Sequence, residues 1–280
     1  MTTTTPTRTA VRRRYLLCPP TYFAVEYSIN PWMDPSRPVD AVAALRQWGA
    51  LCATLRELGH RVETLAPRPR LPDMVFTANG AAVVGGRALI ARFRHPQRAP
   101  ESGFHQAWFS RAGYRPTRAG LPSEGQGDFL PVGARILAGS GPRTSAAAHR
   151  EAEQVLGRPV VSLALTDPRF YHLDTALAVL SEDQIMYYPP AFSAQSNHVL
   201  HLLFPRAILA TDADAVALGL NAVSDGLHVI LPEAARALTA RLHAEGFKPL
   251  PLDLPELLKA GGGPKCCALE LHPAGGGERQ

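Results

Sequence analysis

The feature of this sequence that most restricts its fold is a hairpin pattern that recurs along the chain. Each copy consists of two short apolar or β-branched runs joined by a turn signal. The copies span 81–93, 129–138, 175–188 and 221–231. Their turns recur at intervals of roughly 45 residues, which is the period range of repeat architectures. The pattern therefore predicts a fold built from several similar units.

Helical stretches lie between the hairpins, at 39–58, 104–112, 145–156, 194–203 and 232–245. In the last stretch, Pro232 suits the first helical turn and Gly246 suits the stop. Two strands remain without a partner, one near each end of the chain, at 15–18 and 266–271. If these two strands pair, they complete a fifth unit. The sequence thus predicts an α/β fold in which strand–strand–helix–strand units surround a central axis.

The composition indicates one globular domain. With 46% hydrophobic and 19% charged residues, the 280-residue chain is able to bury a large core. We predict a disordered tail at 1–13, a single catalytic domain at 14–273 and a flexible C-terminus at 274–280. The tail assignment rests on a threonine-rich opening followed by three arginines, which is more typical of a solvated segment than of a targeting signal.

The composition also argues against several classes of function. The net charge of +5 comes from dispersed residues, without the dense basic run of a nucleic-acid-binding protein. A membrane-spanning helix needs about 18 consecutive apolar residues, and no apolar stretch of the sequence is that long. Four cysteines without paired spacing and ten scattered histidines predict a cytoplasmic protein with reduced thiols and no zinc site. The Gly-x-Gly at 125–127 leads into a strand, so it does not predict dinucleotide binding.

The strongest candidate for chemistry is Cys266, which follows three consecutive glycines at the start of a predicted strand. Glycines allow the backbone to approach a ligand closely. A buried structural thiol is the usual interpretation of a single cysteine, and Cys267, on the other face of the strand, fits that interpretation. The glycine run favours Cys266 as a nucleophile.

A thiolate nucleophile requires a proton shuttle, and His172 has the most suggestive context of the ten histidines. His172 and Asp174 are predicted to share one face of a hairpin strand, which suits acid–base work beside a cationic substrate. A capping or surface pair fits the same spacing equally well. Two acidic loops, one at Asp73 and one containing Glu124 and Asp128, precede hairpin strands. By themselves these residues predict a cysteine enzyme with an acidic pocket.

Three motifs follow one another in the chain: Glu-Gly-x-Gly-Asp at 124–128, His-Leu-Asp-Thr at 172–175 and Gly-Gly-Gly-Pro-Lys-Cys at 261–266. In this combination the chain resembles the guanidino-group-modifying superfamily of amidinotransferases, arginine deiminases and dimethylarginine dimethylaminohydrolases, over residues 17–272. Ile-Asn-Pro-Trp-Met at 29–33 and Val-Phe-Thr-Ala-Asn at 75–79 look most like the arginine dihydrolase branch. The resemblance implies a five-bladed, pseudo-fivefold α/β propeller, or pentein, of ββαβ units.

The resemblance also implies roles for individual residues. Cys266 would be the nucleophile, His172 the general acid and base, and Glu124 the carboxylate that binds the guanidinium or supports the histidine. Asp174 would be a second guanidinium partner. Because the interval from Glu124 to Asp128 is one residue longer than is usual in the family, which of the two faces the substrate stays open. The other implied substrate-binding residues are Asn30, Asp73, Phe76, Asn79 and Thr175, with at most two of Arg92, Arg98 and Arg143 holding an α-carboxylate.

The implied reaction is cofactor-free hydrolysis of the guanidinium C–N bonds of L-arginine or a close derivative, through a covalent S-alkylthiouronium intermediate. An arginine dihydrolase, which forms ornithine, ammonia and carbon dioxide, or a citrulline-forming hydrolase is the main hypothesis. It is favoured because Ala78-Asn79 replaces the acidic pair of dimethylarginine hydrolases. The alternatives are a dimethylarginine dimethylaminohydrolase, an amidinotransferase and a non-catalytic arginine-binding propeller. A small guanidino compound is the expected partner, and the sequence leaves homo-oligomerisation open.

Overall fold

The computed structural model describes residues 7–272, and these residues form five three-stranded sheets. The strands are β1 (Arg14–Leu17), β2 (Arg61–Thr64), β3 (Ala81–Val84), β4 (Arg87–Ile90), β5 (Arg115–Arg118), β6 (Phe129–Val132), β7 (Arg135–Ser140), β8 (Val160–Ala164), β9 (Leu177–Val179), β10 (Ile185–Tyr187), β11 (Ile208–Leu209), β12 (Val223–Ser224), β13 (His228–Pro232), β14 (Lys248–Leu252) and β15 (Leu269–Leu271). The helices are α1 (Ala41–Glu57), α2 (Glu101–Arg111), α3 (Ala148–Leu156), α4 (Leu173–Ala176), α5 (Ala194–Leu203), α6 (Asp212–Val216), α7 (Arg236–Ala244), α8 (Pro255–Leu258) and α9 (Pro264–Cys267).

Each sheet combines an antiparallel pair with a parallel pair. In the sheet β3–β4–β5, which we number as the first blade, β4 lies between β3, which is antiparallel to it, and β5, which is parallel. The same order recurs in β6–β7–β8, β9–β10–β11 and β12–β13–β14. Parallel neighbours need a crossover connection, and α2, α3, α5 and α7 supply it in these four sheets. The predicted ββαβ unit is therefore confirmed.

The fifth sheet joins the two ends of the described chain. Strand β1 pairs with β15 antiparallel, with Tyr15 opposite Glu270, and pairs with β2 parallel. The first strands of the sheets are neighbours in the order β15, β3, β6, β9 and β12. The helix α9, directly before β15, contacts β13 beside β12, so the five sheets surround a central axis. This arrangement confirms the predicted five-bladed α/β propeller.

Local sequence signals explain why the elements form where they do. The side chain of Asp40 accepts hydrogen bonds from two backbone N–H groups of the first turn of α1, and the helix buries Leu51 and Leu55. Gly85 and Gly86 have φ values of 53° and 78°, which the turn between β3 and β4 requires. Every residue of β3 is buried, because this strand lies against the axis and its neighbouring blades.

Three predicted placements are wrong in detail. Pro232 ends β13 and does not start the following helix, which begins at Arg236. Proline is tolerated there because β12 pairs with β13 only as far as Ile230, so no strand on that side needs the missing N–H. Cys266 and His172 were both expected on strands. Cys266 instead lies in the one-turn helix α9, and His172 is the residue before the one-turn helix α4.

Residues 7–13 are not a free tail, contrary to the prediction. The Arg8 guanidinium lies 3.3 Å from the centre of the Phe247 ring, and the Val11 N–H donates to the Asp225 carbonyl over 2.8 Å. Arg13 forms an ion pair with Glu270. The rest of the predicted tail and the predicted C-terminal segment at 274–280 lie outside the described residues. Between residues 7 and 272, no helix combines the length and apolarity that crossing a membrane requires.

Candidate active site

Five polar residues, one from each blade, are buried just ahead of the innermost strands. They are Asn79, Glu124, His172, Asn221 and Cys266, and each precedes the first strand of its blade by a few residues. None of them is more than 2% exposed. His172 contacts Glu124 and Asn79, and Asn221 contacts Cys266. Asp174, two residues after His172, contacts both Asn221 and Cys266 and so ties the two groups together. The propeller therefore gathers residues that are distant in sequence into one polar centre.

The Cys266 thiol sits between an amide and a carboxylate. Its Sγ accepts a hydrogen bond from Asn221 Nδ2 over 3.1 Å and donates to Asp174 Oδ2 over 3.4 Å. Burial and then the neighbouring Asp174 charge raise the pKa of Cys266 well above its usual range. In the free protein the thiol is therefore neutral at physiological pH.

His172 faces two carboxylates and an amide. Its Nε2 lies 2.9 Å from Glu124 Oε2 and 3.9 Å from Asp128 Oδ2, while its Nδ1 lies 3.5 Å from Asn79 Nδ2. Thr175 holds the backbone here, because its hydroxyl donates to the His172 carbonyl over 2.7 Å. The imidazole and its carboxylate partner thus form a pair that can move a proton.

Asp174 points away from His172 and towards the thiol. The two residues do not share a strand face as predicted, since the turn of α4 sends their side chains to different partners. Burial raises the pKa of Asp174 to about 6. Its second oxygen, Oδ1, is buried without a hydrogen-bond partner among residues 7–272. An acceptor of this kind beside the thiol fits a donor group of a ligand.

Glu124, rather than Asp128, is the direct partner of the imidazole. Its Oε2 also accepts from Arg143 Nη1 over 2.9 Å. Burial raises the pKa of Glu124, but the Arg143 charge and the His172 bond outweigh burial, so the net pKa lies below the usual range. Asp128 instead accepts from Thr144 Oγ1 over 2.6 Å and from the Leu173 N–H over 3.0 Å. Burial raises the pKa of Asp128 to about 6.

A small cavity adjoins this centre, and Asn79 and Arg143 belong both to its wall and to the surroundings of His172 and Glu124. Its lining consists of Ile29, Asn30, Met33, Asp73, Phe76, Asn79, Arg98, Arg143, Tyr171 and Ala260. Arg98 Nη1 donates to Asn79 Oδ1 over 2.8 Å, and Arg143 Nη2 donates to the Ile29 carbonyl over 2.8 Å. Two buried guanidinium groups therefore stand at one cavity.

The same cavity carries a carboxylate with spare acceptor capacity. Asp73 Oδ2 accepts from the Tyr27 hydroxyl over 2.8 Å, whereas its Oδ1 has no hydrogen-bond partner within the described part of the chain. Asn30 bonds to the Ala260 carbonyl over 3.0 Å and so ties its loop to the glycine run before Cys266. Phe76 packs beside Gly262, where a β-carbon would lie 2.2 Å from its ring. The cavity combines cationic, anionic and aromatic walls.

Of the three arginines, at most two of which were expected to bind substrate, Arg98 and Arg143 line this cavity and Arg92 does not. Its side chain is exposed and donates to the Gly120 carbonyl. The side chains of Arg98 and Arg143, in contrast, are no more than 4% exposed. Arg92 extends to solvent because its segment pairs with Ser123 at the blade edge.

A larger cavity of about 530 Å³ follows the propeller axis. Its lining comes from strands β6, β9, β12 and β15 and from most of residues 7–13, and the segments before the innermost strands contribute Gln126, Ala222 and Lys265. The thiol and the imidazole do not line it. Size therefore does not identify the reactive centre in this fold. Across residues 7–272, no group of three or more His, Cys, Asp and Glu side chains is arranged to hold a metal ion.

Sequence reasoning missed Asn221, although the signal was present. The predicted fourth hairpin begins at this residue, in the same relation to its strand as Asn79 and Glu124 in theirs. An asparagine beside a strand is ordinarily a turn residue, and this is why it did not stand out.

A five-bladed α/β propeller that gathers a cysteine, a histidine and carboxylates at one end of its axis defines the class of guanidino-group-modifying enzymes. Comparison with known proteins agrees with this class. The arginine deiminase family matches residues 56–216. A dimethylarginine dimethylaminohydrolase of Mycobacterium tuberculosis is 56% identical over 266 residues, which cover 95% of this chain and 88% of that protein.

The bifunctional arginine dihydrolase/ornithine cyclodeaminase ArgZ of Synechocystis sp. is 39% identical over 265 residues, covering 92% of this chain but 37% of that longer protein. The structure of the N-terminal domain of ArgZ, covalently bound to a reaction intermediate, has a TM-score of 0.90 at 38% identity and covers 94% of this chain and 99% of that one. The chain therefore belongs to the arginine deiminase family, and its relatives are hydrolases that act on guanidino C–N bonds.

Proposed function

We propose that the protein hydrolyses dimethylarginine, an N-methylated arginine, to citrulline and dimethylamine, with Cys266 as the nucleophile. The observation that carries this proposal is the buried Cys266 thiol beside Asp174, which follows the His172–Glu124 pair by two residues in the chain. A cavity with two guanidinium groups adjoins that pair through Asn79 and Arg143. The choice of dimethylarginine is supported by the 56% identity with the M. tuberculosis enzyme over most of both chains. The arginine dihydrolase hypothesis has weaker support, at 39% identity over part of a longer protein.

The charges around the cavity suit a ligand that is an amino acid at one end and a cation at the other. Arg98 and Arg143 would bind the α-carboxylate through planar donor groups, and the free Oδ1 of Asp73 would accept from the α-ammonium. The unpaired Oδ1 of Asp174 would accept from the guanidinium. Phe76 would pack against the aliphatic stem. This assignment uses the acceptors that the protein itself leaves unpaired.

The reaction would begin with ionisation of the thiol, whose proton passes to His172 and leaves the imidazole protonated. A cationic guanidinium beside Sγ stabilises the thiolate and so offsets the burial that raises the pKa of Cys266. Sγ then forms a bond to the guanidinium carbon. As the C–N bond to the dimethylamino group breaks, the protonated His172 gives its proton to the departing nitrogen. Glu124 stays ionised and stabilises the imidazolium.

The second half of the reaction would release the enzyme. Neutral His172 accepts a proton from water, and the resulting hydroxide adds to the carbon of the S-alkylthiouronium. The C–S bond breaks, and the thiolate that leaves takes up the proton that citrulline loses as its carbonyl forms. The imidazolium then returns its proton to solvent. No step in this scheme requires a cofactor, so a chelator is expected to leave turnover unchanged.

A second candidate substrate is arginine itself. Asn79 supports it, because its neutral amide takes the place of an acidic residue, is held by Arg98 over 2.8 Å and lies against His172. A neutral group there suits a second attack on the uncharged ureido group of citrulline, which would produce ornithine. Ornithine among the products would therefore favour dihydrolase chemistry.

A product assay separates the candidates. Purified protein is incubated with dimethylarginine, monomethylarginine and arginine, and products are identified by mass spectrometry together with amine detection. Dimethylamine plus citrulline supports the main proposal, while ornithine and ammonia from arginine support the second. A new guanidino compound on addition of glycine or lysine would indicate amidino transfer. The Cys266→Ser variant is the control, and wild-type turnover in that variant would refute both hydrolytic proposals.

We further propose that residues 14–273 act as one catalytic domain in the cytoplasm. All four cysteines are buried and unpaired, which supports a reducing compartment.

A further inference from the structure

We propose that Asn221 is a catalytic residue whose side-chain amide stabilises the Cys266 thiolate by donating a hydrogen bond to Sγ. The inference rests on the proposed function, because it takes Cys266 as the nucleophile. It adds a residue from the fourth blade, the one blade whose contribution the resemblance leaves unassigned.

The side chain of Asn221 makes four hydrogen bonds in the buried centre. Nδ2 donates to Cys266 Sγ over 3.1 Å and to the Asp174 carbonyl over 3.1 Å. Oδ1 accepts from the N–H groups of Gly263 and Cys266, over 2.9 Å and 3.0 Å. Both N–H bonds of the amide nitrogen and both lone pairs of the amide oxygen are thus used.

These partners fix which end of the amide faces the thiol. A reversed amide would direct Nδ2 at the N–H groups of Gly263 and Cys266, placing donors against donors. It would also present Oδ1 to the Asp174 carbonyl. The backbone therefore requires that an N–H bond points at Sγ. Since the residue is fully buried, no water competes for this contact.

The remaining charged and titratable groups around Sγ explain why a donor is needed. Asp174 Oδ2, at 3.4 Å, opposes ionisation of the thiol. Cys267 and Tyr171 are neutral at physiological pH, because burial raises the pKa of both. Lys265 favours the thiolate, but its Nζ is directed to Gln126 Oε1, at 3.1 Å. Within residues 7–272, Asn221 supplies the hydrogen bond that Sγ receives.

The repeat supports the same conclusion independently. Asn79, Glu124 and His172 occupy the segment before the first strand of their blades, and all three surround the imidazole side of the site. Asn221 occupies this segment in the fourth blade and reaches the thiol side. The ring thus provides both the imidazole and the thiol with partners from neighbouring blades.

The test measures thiol reactivity independently of turnover. Wild type, Asn221→Ala and Asn221→Asp are treated with iodoacetamide between pH 7 and pH 9, and modification of Cys266 is located by tandem mass spectrometry. Below the pKa of the thiol, the alkylation rate is proportional to the thiolate fraction. Loss of one hydrogen bond to a charged group raises the thiol pKa by about one to two units, so the rate is expected to fall roughly 10- to 100-fold at each pH. We also expect kcat to fall with KM changed by less than about twofold.

Asn221→Asp guards against loss of the fold, because a carboxylate still accepts from the Gly263 and Cys266 N–H groups. Asn197→Ala, which removes an amide far from the site, is the matched control and should alkylate like wild type. If a folded Asn221 variant alkylates at the wild-type rate across this pH range, the inference is overturned. A Cys266→Ser variant that keeps full turnover would instead refute the nucleophile, a result separate from the alkylation profile.

Discussion

At the scale of single residues, Cys266 and Asp174 behave as two acids that share one proton. Their closest atoms are 3.4 Å apart and both side chains are buried. Two negative charges at that distance without solvent are costly, so one group keeps its proton. A cationic guanidinium removes this conflict, because it interacts favourably with both anions at once. The pair is therefore arranged for the bound state and not for the free protein.

The substitution Asp174→Asn tests how much the buried carboxylate lowers the free energy of unfolding. Burial raises the pKa of Asp174 from 3.8 to about 6. A raised pKa in the folded state gives stability that is fully present below pH 3.8 and is lost as the pH rises through 6. Relative to wild type, the free energy of unfolding of the variant should rise by about 2–3 kcal/mol between pH 4 and pH 8. Urea unfolding of wild type and variant at pH 4 and pH 8 measures this difference. If the free energy of unfolding of both proteins changes equally between the two pH values, the prediction is contradicted.

The two arginine environments lead to a second residue-scale prediction. Arg143→Gln removes a buried cation that bonds Glu124 and lines the small cavity, so KM should rise more than about tenfold. Stability should fall as well, by about 3 kcal/mol, because a buried ion pair loses one partner. Steady-state kinetics and thermal unfolding measure these effects. Arg92→Gln is the matched control, and a comparable rise of KM in that variant would contradict the exclusion of Arg92 from the site.

At the scale of elements, the decisive parts are the one-turn helices and 3-10 turns that precede the innermost strands. They turn the backbone so that side chains meet at the axis. Gly127, in the turn between Glu124 and β6, approaches closely: a β-carbon there would lie 2.5 Å from Asn79 Nδ2 and 3.1 Å from the His172 ring. This glycine lets two blades share one site.

Gly127→Ala should therefore impair catalysis more than folding. The methyl group displaces Asn79 and the imidazole, and a displacement of this size costs about 100-fold in kcat/KM. Circular dichroism and kinetics together provide the measurement. Gly49→Ala, inside α1 where a β-carbon meets nothing within 4 Å, should leave activity intact and stabilise the helix by about 0.5–1 kcal/mol. Normal turnover in Gly127→Ala would show that the close approach is not required.

Many of the helices and strands could be predicted from the sequence. The hairpins and long helices are encoded by local periodicity and turn glycines, and α5 was predicted with its observed bounds. The one-turn helices that contain Cys266 and follow His172 were not predicted, because four residues carry no helical period. Arg92 could not be separated from Arg98 by sequence, since bonds to Glu101 and Asn79 decide which arginine is buried. The position of Asn221 in the site could not be predicted either, because its partner Cys266 lies 45 residues away in the chain.

At the scale of the whole molecule, the fifth blade is shared between the two ends of the described chain. Strand β1 lies between β2 and β15, so the blade is incomplete without either end. The two ends are held together by the β1–β15 pairing and by the ion pair of Arg13 with Glu270. This blade therefore closes the ring.

A circular permutant tests this view. We expect that a chain opened between Ala112 and Gly113, both exposed, and joined by a flexible linker between its original ends keeps the fold and turnover within about tenfold of wild type. The reason is that all five sheets keep their strands and only an exposed connection is cut. Circular dichroism and the product assay measure the outcome. Loss of fold with two linker lengths would contradict it.

The pairing of β15 with β1 also sets the order of events during synthesis. A ribosome releases β1 early and Cys266 with β15 only after the other four blades have emerged, so β1 waits with one edge unpaired. The nascent chain carries His172 and Glu124 long before it carries its thiol. Cys266 therefore meets its partners in a single late event, when the last strand docks, and on the proposed mechanism a product truncated before Cys266 would be inert.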